Sequence, residues 1–107
     1  MSAELKKLES GCWLLVGQVT FVTAEALAVC LVDALPLANN VQVQQVDIQQ
    51  ASGGSALLLV CLAWQRHCLA LGLELQLLNP SIQLQKVAEL SHLQNLLPWV
   101  FNTKHFG

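Results

Sequence analysis

The sequence predicts an α/β domain, with a mixed or parallel sheet of four to five strands and about four helices. Three observations indicate it: short apolar stretches with alternating side chains, helical periodicity between them, and glycine or proline at most junctions. Strands separated by helices pair in parallel through right-handed crossovers, so the helices should pack mainly on one side of the sheet. The 107 residues suit one domain, 1–107, and the tail 99–107 receives no element.

The first third of the chain predicts two strands and a helix. A short strand is expected at 4–8 and a longer one at 12–22, which Gly17 interrupts. Thr23 offers a hydroxyl for the N-cap of the following helix. Pro36 should end that helix, because proline has no N–H to donate.

The middle of the chain predicts a strand, a glycine turn and a long helix. Segment 41–48 alternates valine or isoleucine with glutamine, which predicts one apolar face, one glutamine face and a bulge after Val43. The turn leads into a helix over 54–71, and Gly72 is expected to end it. The strand, the turn and the helix together form the most regular part of the sequence.

The last third predicts one more strand and one more helix. Residues 73–77 should form the strand, and Asn79 should cap a helix that has Pro80 at its first position. A further short helix or turn is expected at 91–98.

Composition excludes several classes of function. Charged residues make up only 11% of the chain, against about 25% in an average soluble protein. The five lysine and arginine residues are scattered, so no basic patch predicts nucleic-acid binding. The longest apolar run, 56–64, is far shorter than the roughly 20 residues that span a bilayer. We therefore expect a cytoplasmic protein without direct membrane insertion.

No motif for catalysis or metal binding occurs. The sequence contains no HExxH, GxSxG or Walker A motif, and its three histidines are far apart. None of the four cysteines forms a CxxC pair, so small buried thiols in a reducing compartment are the simplest interpretation. The sequence predicts neither an enzyme, nor a cofactor, nor a metal site.

Two features mark one surface as a candidate binding site. Ser52 or Ser55 should cap the helix over 54–71, and either residue is also placed to contact a partner. On that helix, Leu58 and Leu62 fall opposite the stripe assigned to the sheet, which consists of Ala56, Leu59, Val60 and Ala63. The two leucines are expected to contact a partner protein, unless a neighbouring helix or the tail covers them.

The segment 46–90 resembles STAS domains. The family pattern is a strand, then Asp-Ser/Thr-x-Gly with small residues, an apolar helix, a strand and a further helix. Here the stretch reads ASGGSALLLVCLAWQRHCLALGLELQLLNPSIQLQKVAEL. The stand-alone form and the SGG-x-ALLL stretch look most like the MlaB-type subunit of the bacterial Mla phospholipid ABC transporter. The resemblance implies a STAS-type fold.

The resemblance also assigns a role to the turn. Ser52 matches the Ser/Thr that anti-sigma factor antagonists have phosphorylated by a partner kinase, and Gly53 and Gly54 match the small residues after it. Ala51 stands where the family has an aspartate, so the acid that would help a kinase orient the hydroxyl is missing.

Two functions follow from the resemblance. The first is a non-catalytic accessory subunit, peripheral to the inner membrane, that binds the ATPase subunit of a phospholipid-transport ABC complex and supports outer-membrane lipid asymmetry. The alternative is an anti-sigma factor antagonist that is regulated by phosphorylation of Ser52 and bound by an anti-sigma factor kinase. The proposed partner-binding residues are Gln50, Ala51, Ser52, Gly53, Gly54, Ser55, Leu58 and Leu62.

Overall fold

The computed structural model describes residues 3–9, 11–34, 43–93 and 95–100, apart from the side chains of 32–34. Within them, six strands and three helices follow one another as β1 (Glu4–Glu9), β2 (Cys12–Gln18), α1 (Phe21–Ala34), β3 (Val43–Asp47), β4 (Ala51–Ser52), α2 (Gly54–Ala70), β5 (Glu74–Leu78), α3 (Ile82–Leu90) and β6 (Trp99–Val100). The predicted α/β class is confirmed.

The sheet is mixed, with the order β1-β2-β3-β5-β6, and β4 pairs with the end of β2. Only β1 runs antiparallel to its neighbour. The sheet has more strands than predicted because β4 and β6 are two residues long, too short to produce a periodic pattern. The expected strand at 4–8 is β1, and the strand at 73–77 is β5, shifted by one residue.

The helices pack on one face of the sheet. Each of the crossovers β2–α1–β3, β3–α2–β5 and β5–α3–β6 moves to the next strand in the same direction. Right-handed crossovers of this kind place all three helices on one side. Helix α2 lies in the middle, in contact with both α1 and α3, and its Trp64 indole donates a hydrogen bond to the Leu27 carbonyl at 3.2 Å.

Strand β3 differs from its prediction. The bulge expected after Val43 is absent, because Val43–Asp47 pairs in continuous register with Glu74–Leu78. Gln44, expected on a glutamine face, is fully buried and accepts a hydrogen bond from Trp13 Nε1 at 3.0 Å. Because Gln44 enters the core beside Val46, the regular alternation needs no extra residue.

The first helix begins earlier than predicted. The strand ends at Gln18 instead of residue 22, and α1 starts at Phe21. Thr20 therefore occupies the cap position expected for Thr23: the Thr23 N–H donates to Thr20 Oγ1 at 3.3 Å, and the Thr20 N–H donates to Thr23 Oγ1 at 3.0 Å. Pro36 lies outside the described residues.

Helix α3 begins later than predicted. Asn79 has a positive φ of 57° and is not the cap. Ser81 caps the helix instead, and its hydroxyl accepts a hydrogen bond from the Leu84 N–H at 3.1 Å. Pro80 thus precedes the helix, whereas Gly72 follows α2 with a φ of 73°, as predicted.

The described part of 91–98 forms turns, so the fourth helix is not found there, and the chain then enters β6. In the parts of the chain that the structure describes, no helix is long and apolar enough to cross a membrane. Cys12, Cys30, Cys61 and Cys68 are all free thiols.

Candidate functional site

All the described helices begin at the same edge of the sheet. Strands β2, β3 and β5 are parallel, so their carboxyl ends meet at the same edge. From this edge the chain enters α1 at Phe21, α2 at Gly54 and α3 at Ile82. Ligands and partners of open α/β sheets commonly bind at such an edge.

Backbone hydrogen bonds fix Ser52 at this edge. The Gly17 N–H donates to the Gln50 carbonyl at 3.2 Å, and the Val19 N–H donates to the Ser52 carbonyl at 2.7 Å. These bonds pair β4 with the end of β2. Because side chains alternate along a strand, Ala51 is buried and Ser52 is exposed.

A carboxylate shapes the turn before Ser52. Asp47 Oδ1 accepts a hydrogen bond from the Gln49 N–H at 2.8 Å. The Ala51 N–H donates to the Ile48 carbonyl at 3.1 Å, which closes the turn. The turn is therefore held before the chain reaches the serine.

Gly53 is the N-cap residue of α2, and no side chain caps the helix. The expectation that Ser52 or Ser55 caps α2 is therefore wrong. Gly53 has a φ of 142°, and a Cβ at this position would lie 2.4 Å from the Val19 carbonyl oxygen. Glycine is required here because the backbone of β2 passes so close, and the cap is left without a hydroxyl.

Ser52 borders an open groove of about 550 Å³. Its described lining residues come from three segments of the chain, and none of them is charged: Gln18, Val19, Thr20, Phe21, Ser52, Gly53, Gly54, Ala56 and Gln83. Phe21 is 69% exposed at the groove, and Ile82 stands exposed beside Gln83. Large apolar side chains left in water around a polar groove are typical of a protein-binding surface.

The structure brings together only part of the predicted binding site. Ser52, Gly53 and Gly54 line the groove, and Gln50 and Ser55 are exposed beside them. Ala51 is buried.

Leu58 and Leu62 were expected on the exposed side of α2. Leu58 is only 3% exposed and belongs to the core, so its predicted surface position is wrong. Leu62 is half-buried and packs against the core. By contrast Leu59, which was assigned to the sheet, is 52% exposed. The reason is that α2 contacts α1, α3 and the sheet, so its buried arc is wider than one stripe.

The sequence did not predict the groove residues outside the turn. Gln18 ends β2, Thr20 and Phe21 follow it, and Gln83 lies in the first turn of α3. Phe21 falls within the strand predicted over 12–22, so nothing in the sequence around it indicated that it lies beside Ser52. Only the parallel pairing of β2 with β4 reveals it.

Two buried thiols of the described residues are poorly suited to nucleophilic chemistry. Burial raises the pKa of the Cys61 thiol from 9.0 to about 12 and that of Cys68 to about 11, which opposes formation of a nucleophilic thiolate. No group of three or more His, Cys, Asp or Glu residues in the described ranges could hold a metal ion.

No family model matches this sequence, and no curated protein matches it either. Solved structures do match. The unphosphorylated form of the anti-sigma factor antagonist SpoIIAA superimposes with a TM-score of 0.72 at 20% identity, covering 95% of this chain and 89% of that one. The phosphorylated form of the Bacillus cell fate determinant SpoIIAA gives 0.67 at 19% identity, with 95% and 92% covered. The chain thus has the STAS fold of these anti-sigma factor antagonists.

Proposed function

We propose that this chain is a non-catalytic regulatory domain of the anti-sigma factor antagonist type. Its Ser52 groove binds a kinase-type anti-sigma factor, and phosphorylation of Ser52 by that partner weakens the complex. The observation that carries the proposal is the exposed Ser52, beside the exposed Phe21, in a groove whose described lining residues are all uncharged. The likeness to SpoIIAA, solved in both phosphorylation states, supports the same function.

The electrostatics of the groove explain how such a switch would act. A phosphoryl group adds nearly two negative charges at neutral pH. The uncapped N-terminus of α2 offers N–H groups and the positive end of a helix dipole, which favour that charge. A partner that covers Phe21 would have to desolvate the phosphate, and the described lining residues include no lysine or arginine to pair with it. Phosphorylation should therefore be tolerated by the fold but oppose binding.

Ala51 is the main departure from the family pattern. Its side chain points into the core, so this edge lacks the acid that precedes the serine in the family. A kinase would have to orient the Ser52 hydroxyl with its own residues. The proposal depends on the exposure of Ser52, not on the complete motif.

The Mla interpretation depends on the sequence resemblance alone. Neither SpoIIAA structure adds support for an ABC transporter subunit. An ATPase subunit would use the same exposed turn, so the two functions differ in partner and in covalent chemistry. One experiment can therefore separate them.

The test combines phosphorylation with binding. The purified chain is incubated with ATP and a kinase-type anti-sigma factor from the same genome, and its intact mass is measured. We expect wild type and the control Ser55→Ala each to gain one phosphoryl group, and Ser52→Ala to gain none. Ser52→Glu should weaken binding at least tenfold, about 1.4 kcal/mol.

Two outcomes would contradict the proposal. Wild type that gains no phosphoryl group rejects the switch, and a phosphoryl group that persists in Ser52→Ala places it elsewhere. In a parallel binding assay with the ATPase subunit of an ABC transporter from the same genome, binding without modification would favour the transporter subunit. Phe21→Ser tests the groove separately, because it removes the apolar side chain and leaves Ser52 unchanged.

A further inference from the structure

A second surface lies on the outer side of α1 and α2, and we call it the α1–α2 face. It consists of Val22, Glu25 and Val29 on α1, at helical spacing, with Leu59 and Arg66 on α2. All five side chains are exposed, Val29 by 47% and Leu59 by 52%. None of these residues lines the Ser52 groove.

A shallow depression runs between the two helices on this face. Its volume is about 190 Å³, and half of its six described lining residues are alanine: Ala24, Ala28 and Ala63, with Glu25, Leu59 and Val60. Small side chains let another element approach closely, and Leu59, which lines the depression, is itself exposed to meet it. An apolar face with a recess between its ridges has the shape into which a second helix pair can pack.

The two charges of the face have opposite signs and lie apart. Helices α1 and α2 run in the same direction, because both connect parallel neighbouring strands on one side of the sheet. Glu25 lies level with Leu59 and Val60, where it lines the depression with them. Arg66 follows Val60 by six residues, which is about 9 Å along the helix axis.

We propose that the α1–α2 face binds a second copy of this chain. A twofold axis that passes midway between Glu25 and Arg66 brings each Glu25 opposite Arg66 of the other copy, so the contact repeats twice. The exposed valines and Leu59 then cover each other. The face is therefore complementary to itself in charge as well as apolar, which a homodimer interface requires.

The low charge of the chain agrees with this arrangement. Charged residues make up 11% of the sequence, and helix α2 carries Arg66 as its only lysine, arginine or acidic residue. The proposal does not rest on the function of Ser52. It can be tested without any partner or kinase, so its failure and the failure of the proposed function are distinguishable.

The experiment is sedimentation velocity over a wide concentration range in reducing buffer. Wild type should pass from the 11.7 kDa chain mass to twice that mass as concentration rises. Glu25→Arg and Arg66→Glu each place like charges opposite each other twice, and each should raise the dimer dissociation constant about five- to tenfold. The double variant Glu25→Arg/Arg66→Glu restores opposite charges and should return close to the wild-type constant.

Lys86→Glu is the matched control, because it reverses an exposed charge on α3, away from the face. It should leave the dissociation constant unchanged, and thermal unfolding of every variant checks that the fold is kept. Wild type that stays monomeric at all concentrations overturns the proposal. Single variants that weaken the dimer without rescue in the double variant overturn the pairing of Glu25 with Arg66.

Discussion

At the scale of single residues, Gly53 joins strand pairing to helix initiation. The carbonyl of the preceding Ser52 accepts a hydrogen bond from Val19, and the Gly53 carbonyl accepts one from the Ala56 N–H at 3.1 Å, in the first turn of α2. Both bonds need the chain to reverse within one residue, at a φ of 142°. A residue with a side chain at this point would move either β4 or the start of α2.

We predict that Gly53→Ala lowers the free energy of unfolding by about 3 kcal/mol, because the new Cβ would overlap the Val19 carbonyl. Gly54→Ala is the control: its φ is also positive, at 52°, but no atom lies within 4 Å of the added Cβ. It should cost only about 1–2 kcal/mol. Urea unfolding measures both, and equal losses would show that the close approach of Val19 contributes nothing.

Gln44 shows that the burial of a single residue cannot always be predicted from the sequence pattern around it. A glutamine in an alternating strand is normally assigned to the solvent face, and that assignment produced the false bulge after Val43. The side chain is buried because Trp13 supplies a donor at 3.0 Å, across a separation of 31 residues. A buried polar group with its partner is tolerated, whereas one without a partner costs about 1–3 kcal/mol. Only the strand pairing identifies that partner.

At the scale of elements, the sequence predicted the long elements well and their starts poorly. The helices were expected to be capped by Thr23, by Ser52 or Ser55, and by Asn79, but they are capped by Thr20, Gly53 and Ser81. Polar cap candidates stand close together at each junction. The selection is made by the residue at which strand pairing stops, and that depends on neighbouring strands. Strands β4 and β6 were not predicted because two residues are too few to show a periodic pattern.

The capping assignments can be tested on two serines. Ser81→Ala should lower the free energy of unfolding by about 1 kcal/mol, because the Leu84 N–H loses its acceptor. Ser55→Ala should change it by less than about 0.5 kcal/mol, because Ser55 is exposed and no side chain caps α2. Thermal unfolding compares the two. A larger loss at Ser55 would mean that a serine caps α2 after all.

At the scale of the whole molecule, the sheet topology brings the residues of the candidate site together. The three parallel crossovers bring residues from the end of β2, from β4 and from the start of α3 to one edge. The sequence predicted the turn over 50–55 as a binding surface because glycine and serine mark it locally. It did not place Phe21 or Gln83 there, since nothing near either residue reports the strand order. Only Ser52, Gly53 and Gly54, a third of the nine described lining residues of the groove, were therefore visible before the fold was known.

The raised pKa values of the buried thiols predict how the stability of the whole fold depends on pH. Unfolded Cys61 ionises at its ordinary pKa of 9.0, whereas burial raises the pKa of the folded thiol to about 12. Below pH 9 both states keep the proton and this thiol gives no pH dependence. Between pH 9 and 12 only the unfolded chain releases it, so the free energy of unfolding should fall by up to about 1.4 kcal/mol per pH unit.

Urea unfolding from pH 7.5 to about pH 10.5, with reductant present, measures this loss. Cys68, whose pKa burial raises to about 11, should add to it over the same range. Cys61→Ala should be less stable at neutral pH, because it leaves a small cavity in the core, yet it should lose less stability as the pH rises. If Cys61→Ala falls as steeply as wild type, the alkaline loss comes from other groups and the thiol is not the proton donor.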